Sequence, residues 1–217
     1  MASRWHAPLG RQSCHTQSFD SNRYRIVIRR RQVLRLATSC STIPMVGLVT
    51  IELRPLTAAD APAHCAGQDE FTVRWLAGLP GDVDTTVRLF QRFAENAAAG
   101  TGKRGLGIWM SGRLCGYIHY DPDNADGIEA QDVSLAYAVH PWARGHGVAV
   151  EAVRMICEFL RAHGIGTRAA IRVDPENIAS VRVANKAGFR YVRDFPSSKH
   201  TNGDGSPRTL SLYVLDL

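Results

Sequence analysis

The stretch that decides the fold is Asp132-Val-Ser-Leu-Ala-Tyr-Ala-Val139, followed by His140-Pro141-Trp142-Ala143-Arg144-Gly145-His146-Gly147-Val148-Ala149. Val133, Leu135, Tyr137 and Val139 alternate with Asp132, Ser134, Ala136 and Ala138, which is the period of a strand with one large apolar face and one small or polar face. A ligand can approach the small face closely. Past the break at His140-Pro141, the residues Ala149, Ala152, Val153, Ile156 and Leu160 recur at helical spacing. Glycines at a helix start leave backbone N–H groups open, and with the positive end of the helix dipole these can hold a pyrophosphate. Taken alone, Gly145-x-Gly147 is equally a flexible helix start.

Reading outward, the order after Val133 is strand 133–139, helix 145–163, strand 168–173, helix 177–187, strand 189–194 and a terminal strand 209–216. Such alternation predicts an α/β domain around a mixed sheet. Pro196 to Pro207 is polar and reads as an exposed loop. Upstream, Val49–Pro55 alternates as a strand, and Thr57 and Asp60 have capping-box spacing to open a short helix. Two helices follow at 69–77 and 84–98, the second burying Val87, Phe90 and Phe93/Ala94. The runs 106–110 and 114–120, joined by Ser111-Gly112-Arg113, suit a β-hairpin. Asp121 to Asp132 is an acidic loop.

The second motif is Asn177-x-Ala179-Ser180-x-Arg182-Val183-x-Asn185-Lys186-x-Gly188-Phe189. Asn177 is placed to cap a helix and Gly188 to end it. With Arg144-x-x-Gly147-x-Ala149, this chain resembles the GNAT superfamily of acyl-CoA N-acyltransferases and, within it, the RimJ/RimL-type branch. The likeness is strong from Val133 to Val192, general from Val49 to Tyr120 and absent in residues 1–44. It implies a single α/β domain with a mixed, splayed β-sheet flanked by helices. Acetyl-CoA would lie between the strands ending at Val139 and Val173, as acyl donor and with no metal. Backbone groups of Ala138, Val139 and His140 would bind the pantetheine, and amides of Arg144, Gly145, His146, Gly147, Val148 and Ala149 the pyrophosphate. Asn177 and Ser180 would face the cofactor, with Arg182 and Lys186 in reach of the 3′-phosphate.

The reaction implied is direct attack of a primary amine on the thioester, the amine belonging to a protein N-terminus or a small molecule. A backbone N–H near Val139 is the expected oxyanion donor. Ser180 is the expected proton donor to sulfur, and its ordinary role would be to bond the preceding helical turn. Related enzymes often have a Glu where this chain has Ser134, so the base is open. Asp132, Tyr137 and His119 are candidates, each with a structural alternative. Glu151 suits the helix dipole. His140 and His146 lack a third ligand for a metal, and Trp75 and Trp142 are expected near the acceptor cleft.

Composition sets the outer limits. The chain has 217 residues, 45% hydrophobic and 21% charged, which are globular proportions. Its longest apolar run, Ile43–Val49, is far short of the roughly 20 residues that span a bilayer. The net charge of +6 is misleading, because residues 1–44 hold eight arginines against one acid, Asp20, for +7, leaving −1 on residues 45–217. The sequence therefore divides into a basic, disordered arm, 1–44, and a catalytic domain, 45–217. Three readings of the arm compete: a transit peptide, a nucleic-acid or ribosome-binding arm, or upstream sequence from a start placed too early. Met45, just before the first well-formed strand, favours the last. Five cysteines, odd in number and without C-x-x-C, indicate neither a disulfide framework nor zinc; Cys115 and Cys157 read as buried, in a reducing cytoplasm. Two rivals to the transferase remain: a non-catalytic acyl-CoA-binding module, and a ribosome- or RNA-associated protein using the arm. The acidic loop mildly favours a cationic acceptor.

Overall fold

The computed structural model describes residues 28–36, 45–76 and 81–217. Its strands are β1 (Ile28–Leu36), β2 (Met45–Pro55), β3 (Arg104–Met110), β4 (Arg113–Asp121), β5 (Asp132–Val139), β6 (Arg168–Val173), β7 (Arg190–Thr201) and β8 (Pro207–Asp216). They form one sheet in the order β1-β2-β3-β4-β5-β6-β8-β7, antiparallel except for the parallel pair β5–β6. The helices are α1 (Ala61–Ala66), α2 (Glu70–Leu76), α3 (Val83–Ala99), α4 (Val148–Ala162) and α5 (Ile178–Ala187). This is the mixed α/β sheet expected from the alternation of periods.

Local chemistry accounts for the boundaries. Thr57 and Asp60 form their capping box around a 3₁₀ turn that runs into α1. Asp82 caps α3 by accepting from the Thr85 amide, and Gly100 closes it with φ +72°. Phe90 and Phe93 are the buried aromatic pair of α3, while Val87 is only partly buried and Ala94 faces solvent. Between β3 and β4, Ser111 (φ +49°) and Gly112 (φ +82°) make a two-residue turn with both residues left-handed, the form whose twist suits a hairpin. Within the basic segment, residues 28–36 pair antiparallel with β2 from Ile28↔Leu53 to Leu36↔Met45, giving β2 a neighbour on its otherwise open edge. The remainder of the segment lies outside the described residues.

One expectation is corrected. Residues 196–207 are not an exposed loop: β7 runs on through Thr201, and only 202–206 turn back into β8. Pro196 lacks an N–H and coincides with a break in register between Pro196 and Thr201. The polar side chains there find partners, since Ser197 and Ser198 both bond the buried carboxylate of Asp126.

The main core lies between α4 and the sheet. Met155, Ile156 and Leu160 of α4 are fully buried against Ile51, Ile118 and Val133, each such burial contributing about 2 kcal/mol. Cys115 and Cys157 are buried free thiols, their pKa pushed up to about 12 by burial. The opposite face carries two smaller clusters, one under α3 and one made by Phe195, Leu210, Leu212, Val214 and Ala170.

Candidate active site

The sheet splits between β5 and β6. Their pairing runs from Asp132↔Arg168 to Leu135↔Ile171 and stops, so Ala136–Val139 and Arg172–Val173 diverge and line a cleft of about 620 Å³. On one face of the split stand the start of α4 and the side of α5. On the other stand His119 and Arg172: His119 pairs with Ala136, and both lie opposite the face on which Tyr120 meets Phe159 of α4.

At the mouth on the α4 side, Gly145 (φ +78°) and Gly147 (φ +76°) are both left-handed, and a Cβ at either would meet nothing within 4 Å. Glycine is required there by backbone conformation, and the space in front of it is free. The first amides of α4 have no intrahelical acceptor, so the loop offers donors and a helix dipole to an anion. This donor set fits a pyrophosphate. Val148 and Ala149 also line the cleft, as do Ala138, Val139, Asn177, Ser180, Arg182 and Lys186.

One residue expected at the cofactor, His140, has its groups committed elsewhere. His140 gives its backbone N–H to Cys115 O at 2.7 Å, and its ring is buried against Gly67, where a Cβ would come within 2.1 Å of it. Periodicity could not reveal this, because the close approach of Gly67 to His140 joins distant parts of the chain. His146, by contrast, keeps its backbone in the loop between Gly145 and Gly147, which both line the cleft.

Arg144 lines the cleft, but its side chain turns away from the pyrophosphate position. It pairs with both oxygens of Asp69 at 2.6 and 2.7 Å, donates to Thr72 Oγ1 at 2.9 Å and from Nε to Val139 O at 2.9 Å. Asp69 in turn accepts from the Thr72 amide at the start of α2. The guanidinium holds the Asp69 carboxyl well below the usual carboxylate range. Thus one side chain ties the end of β5 to α2, whose Phe71 and Trp75 line the same cleft. Trp142 instead packs on the core, with Arg113 over its ring at 4.1 Å.

Within the split, Tyr137 of β5 and Ser180 of α5 meet, Oη to Oγ, at 2.9 Å. Burial pushes the Tyr137 phenol up to about 12, so it stays protonated at neutral pH. Asn177 acts as helix cap, accepting from the Ser180 amide at 3.1 Å. The sequence named Tyr137 and Ser180 separately; only the fold makes them a pair.

Asp132 lies apart from the cleft lining. It is buried and bonded to Arg168 through two contacts, 2.7 and 2.9 Å, and to the Glu129 amide. Ser134 is buried and accepts from Arg172 at 3.2 Å. His119 does line the cleft, with its pKa lowered to about 3 by burial and then by Lys103 and Arg172. The acidic loop offers less negative charge than its sequence suggests, since Asp126 is paired with Arg172 and Asp132 with Arg168. Arg172, which neither motif included, is the residue that sequence reasoning missed; its one signal was an arginine within the apolar run of β6.

A split sheet with a glycine-opened helix beside the split is the architecture of a nucleotide-thioester acyltransferase. Residues 50–190 match the family model of the acetyltransferase (GNAT) domain, and the chain belongs to that family of acyltransferases. No curated protein sequence matches it. Among solved structures, the fold is similar to the microcin C7 self-immunity acetyltransferase MccE in complex with acetyl-CoA and AMP, at 14% identity, TM-score 0.66, 77% of this chain and 92% of that one. It is also similar to the RimL ribosomal L7/L12 α-N-protein acetyltransferase in complex with coenzyme A, at 15% identity, TM-score 0.66, 85% of this chain and 98% of that one. Mycobacterium smegmatis RimJ in complex with CoA-disulfide matches at 19% identity, TM-score 0.62 and 86% of each chain. The fold is thus shared with the RimJ/RimL branch that the motifs resemble.

Proposed function

We propose that this chain is an acetyl-CoA-dependent N-acetyltransferase that acts on a primary amine by direct transfer. The observation that carries this reading is the Tyr137–Ser180 pair, 2.9 Å apart in the split beside the glycine-opened helix. Acetyl-CoA supplies the acyl thioester. Amides from Gly145 to Ala149 hold its pyrophosphate, Arg182 and Lys186 face its phosphates, and the small residues Ala136 and Ala138 leave room for its thin arm.

The amine nitrogen, entering from the His119 face, forms the N–C bond at the carbonyl, and a backbone N–H near Val139 steadies the oxygen. The C–S bond breaks as sulfur takes a proton from the Tyr137–Ser180 pair, Tyr137 being the better-suited donor because its phenol, even pushed up to about 12, is a stronger acid than an aliphatic hydroxyl. The amine loses its proton to water in the open mouth: His119, held near 3, is too weak a base, and Asp132 is committed to Arg168.

Ser134, standing where related enzymes often have a Glu, also suits a module that binds acyl-CoA without turnover. Thiol release against an amine panel, beside calorimetric titration of acetyl-CoA into the protein and its Gly147→Asp variant, separates the two. Binding with amine-dependent thiol release supports the transferase; binding with no release from any amine supports the module; no binding removes both. No helix among the described residues is long and apolar enough to cross a membrane, and with its free buried thiols the protein is proposed to work in the cytoplasm.

A further inference from the structure

The face of the split opposite α4 is lined by four cations, Lys103, Arg172, Lys199 and Arg208. The acids that face them are Asp121 and Asp174, with Asp126 behind Arg172. Asp126 is consumed: it is 3% exposed and receives Arg172 at 2.6 Å, the Ser197 hydroxyl at 2.8 Å, and the Ser198 amide and hydroxyl at 2.8 and 2.9 Å. Arg208 lies 3.8 Å from Asp174. Lys199 donates to the neutral Asn124 at 3.3 Å, and neither it nor Lys103 has a carboxylate partner among the described residues. The buried Nε of Arg172 has no hydrogen-bond partner there.

The two histidines of this wall respond to the same field. Both are shifted toward the neutral form, first by burial and then by the cations, Lys103 and Arg172 at His119, and Arg172, Arg208 and Lys199 against Asp126 at His200. A wall of this kind repels a bare ammonium ion and attracts an oxyanion. Phe71, 44% exposed, and Trp75 supply apolar surface beside it.

We infer that the acceptor amine carries an oxyanion, a carboxylate or a phosphate, within a few bonds of its nitrogen, and that Arg172 and Lys199, with Lys103 and Arg208, read it. This rests on the transferase reading of the same cleft. Arg172, its charge balanced by Asp126 and its position fixed by Asp126 and Ser134, is the preorganised hydrogen-bond donor, and Lys103 and Lys199 carry the uncompensated charge.

The test compares matched amines that differ only in the anion: phenylalanine, phenylalaninamide and phenethylamine for carboxylate, and phosphoethanolamine with ethanolamine for phosphate. Binding to the CoA-loaded protein is measured calorimetrically, because amidation changes the amine's own acidity and would distort a rate comparison. The anionic member of at least one set is expected to bind about tenfold or more tightly, and the set that shows it tells carboxylate from phosphate. In the double variant Lys103→Gln, Lys199→Gln that margin shrinks several-fold while CoA affinity, set on the other face, holds. Equal or weaker binding of the anionic members in both sets, or a margin unchanged in the double variant, overturns the inference. Thiol release from the same amines is scored separately. An anion preference without turnover defeats the transferase reading alone, and turnover without the preference defeats this inference alone.

Discussion

The guanidinium of Arg144 grips the carboxylate of Asp69 through two bonds of 2.6 and 2.7 Å, across 75 residues of chain. Because the same guanidinium donates to Val139 O, the end of β5 and the start of α2 move as one unit. The pair joins the strand that would hold the acyl donor to the helix whose Phe71 and Trp75 line the same cleft.

Asp69→Asn and Arg144→Lys are therefore expected to loosen α2 more than the phosphate loop. About a third of each side chain is exposed, so the stability loss is about 1 kcal/mol or less. The acceptor KM rises several-fold while acetyl-CoA affinity stays within about twofold. Steady-state kinetics beside calorimetry reads this split; an equal loss in both would place the arginine on the phosphate instead.

Gly147 separates backbone strain from charge. Gly147→Ala meets no neighbouring atom but forces an L side chain to φ +76°, costing about 1 kcal/mol of stability. It should retain measurable acetyl-CoA binding. Gly147→Asp adds a carboxylate among amides meant for a pyrophosphate, and its binding should vanish while circular dichroism shows the fold intact.

Tyr137→Phe removes the phenol that sulfur needs, and kcat is expected to fall about 10- to 100-fold with little change in acetyl-CoA affinity. With the phenol pKa raised to about 12 and His119 lowered to about 3, neither titrates between pH 6 and 9. In that range kcat/KM should rise with pH toward the acceptor's own pKa. An alkaline limb that stays put when acceptors of different pKa are exchanged would reveal an enzyme base instead.

His64 makes folding sensitive to acid. It is buried, with its pKa lowered from 6.5 to about 4 by burial and then by His140. Below pH 6.5 the unfolded chain takes a proton that the folded one refuses, so stability is full above that value and declines toward pH 4. At pH 5 the loss from this group is on the order of 2 kcal/mol. Urea denaturation at pH 7 and pH 5 measures it, and His64→Phe should reduce the difference.

Much of this was legible from residue order alone, where the cause is local. The turn at Ser111-Gly112 follows from its glycine, which adopts positive φ freely, and the end of α5 follows from Gly188, left-handed at φ +97°. Strand β6 spans 168–173, the bounds expected from the sequence. The extension of β7 was not legible. Its residues Ser197 and Ser198 are polar and carry no apolar period, and they are held in place by Asp126, about seventy positions earlier.

Sequence by itself determined the strand and helix periods, the two glycines that open α4 and the two motifs that mark the family, because each depends on neighbours within a few residues. Tertiary structure alone decided that Tyr137 meets Ser180, that Asp132 is spent on Arg168, that Arg144 grips Asp69, and that four cations converge on one wall. A charged or hydroxyl side chain can satisfy itself with many partners, and its choice is made only when the packing of α4 and the splitting of β5 from β6 bring distant segments within bonding distance.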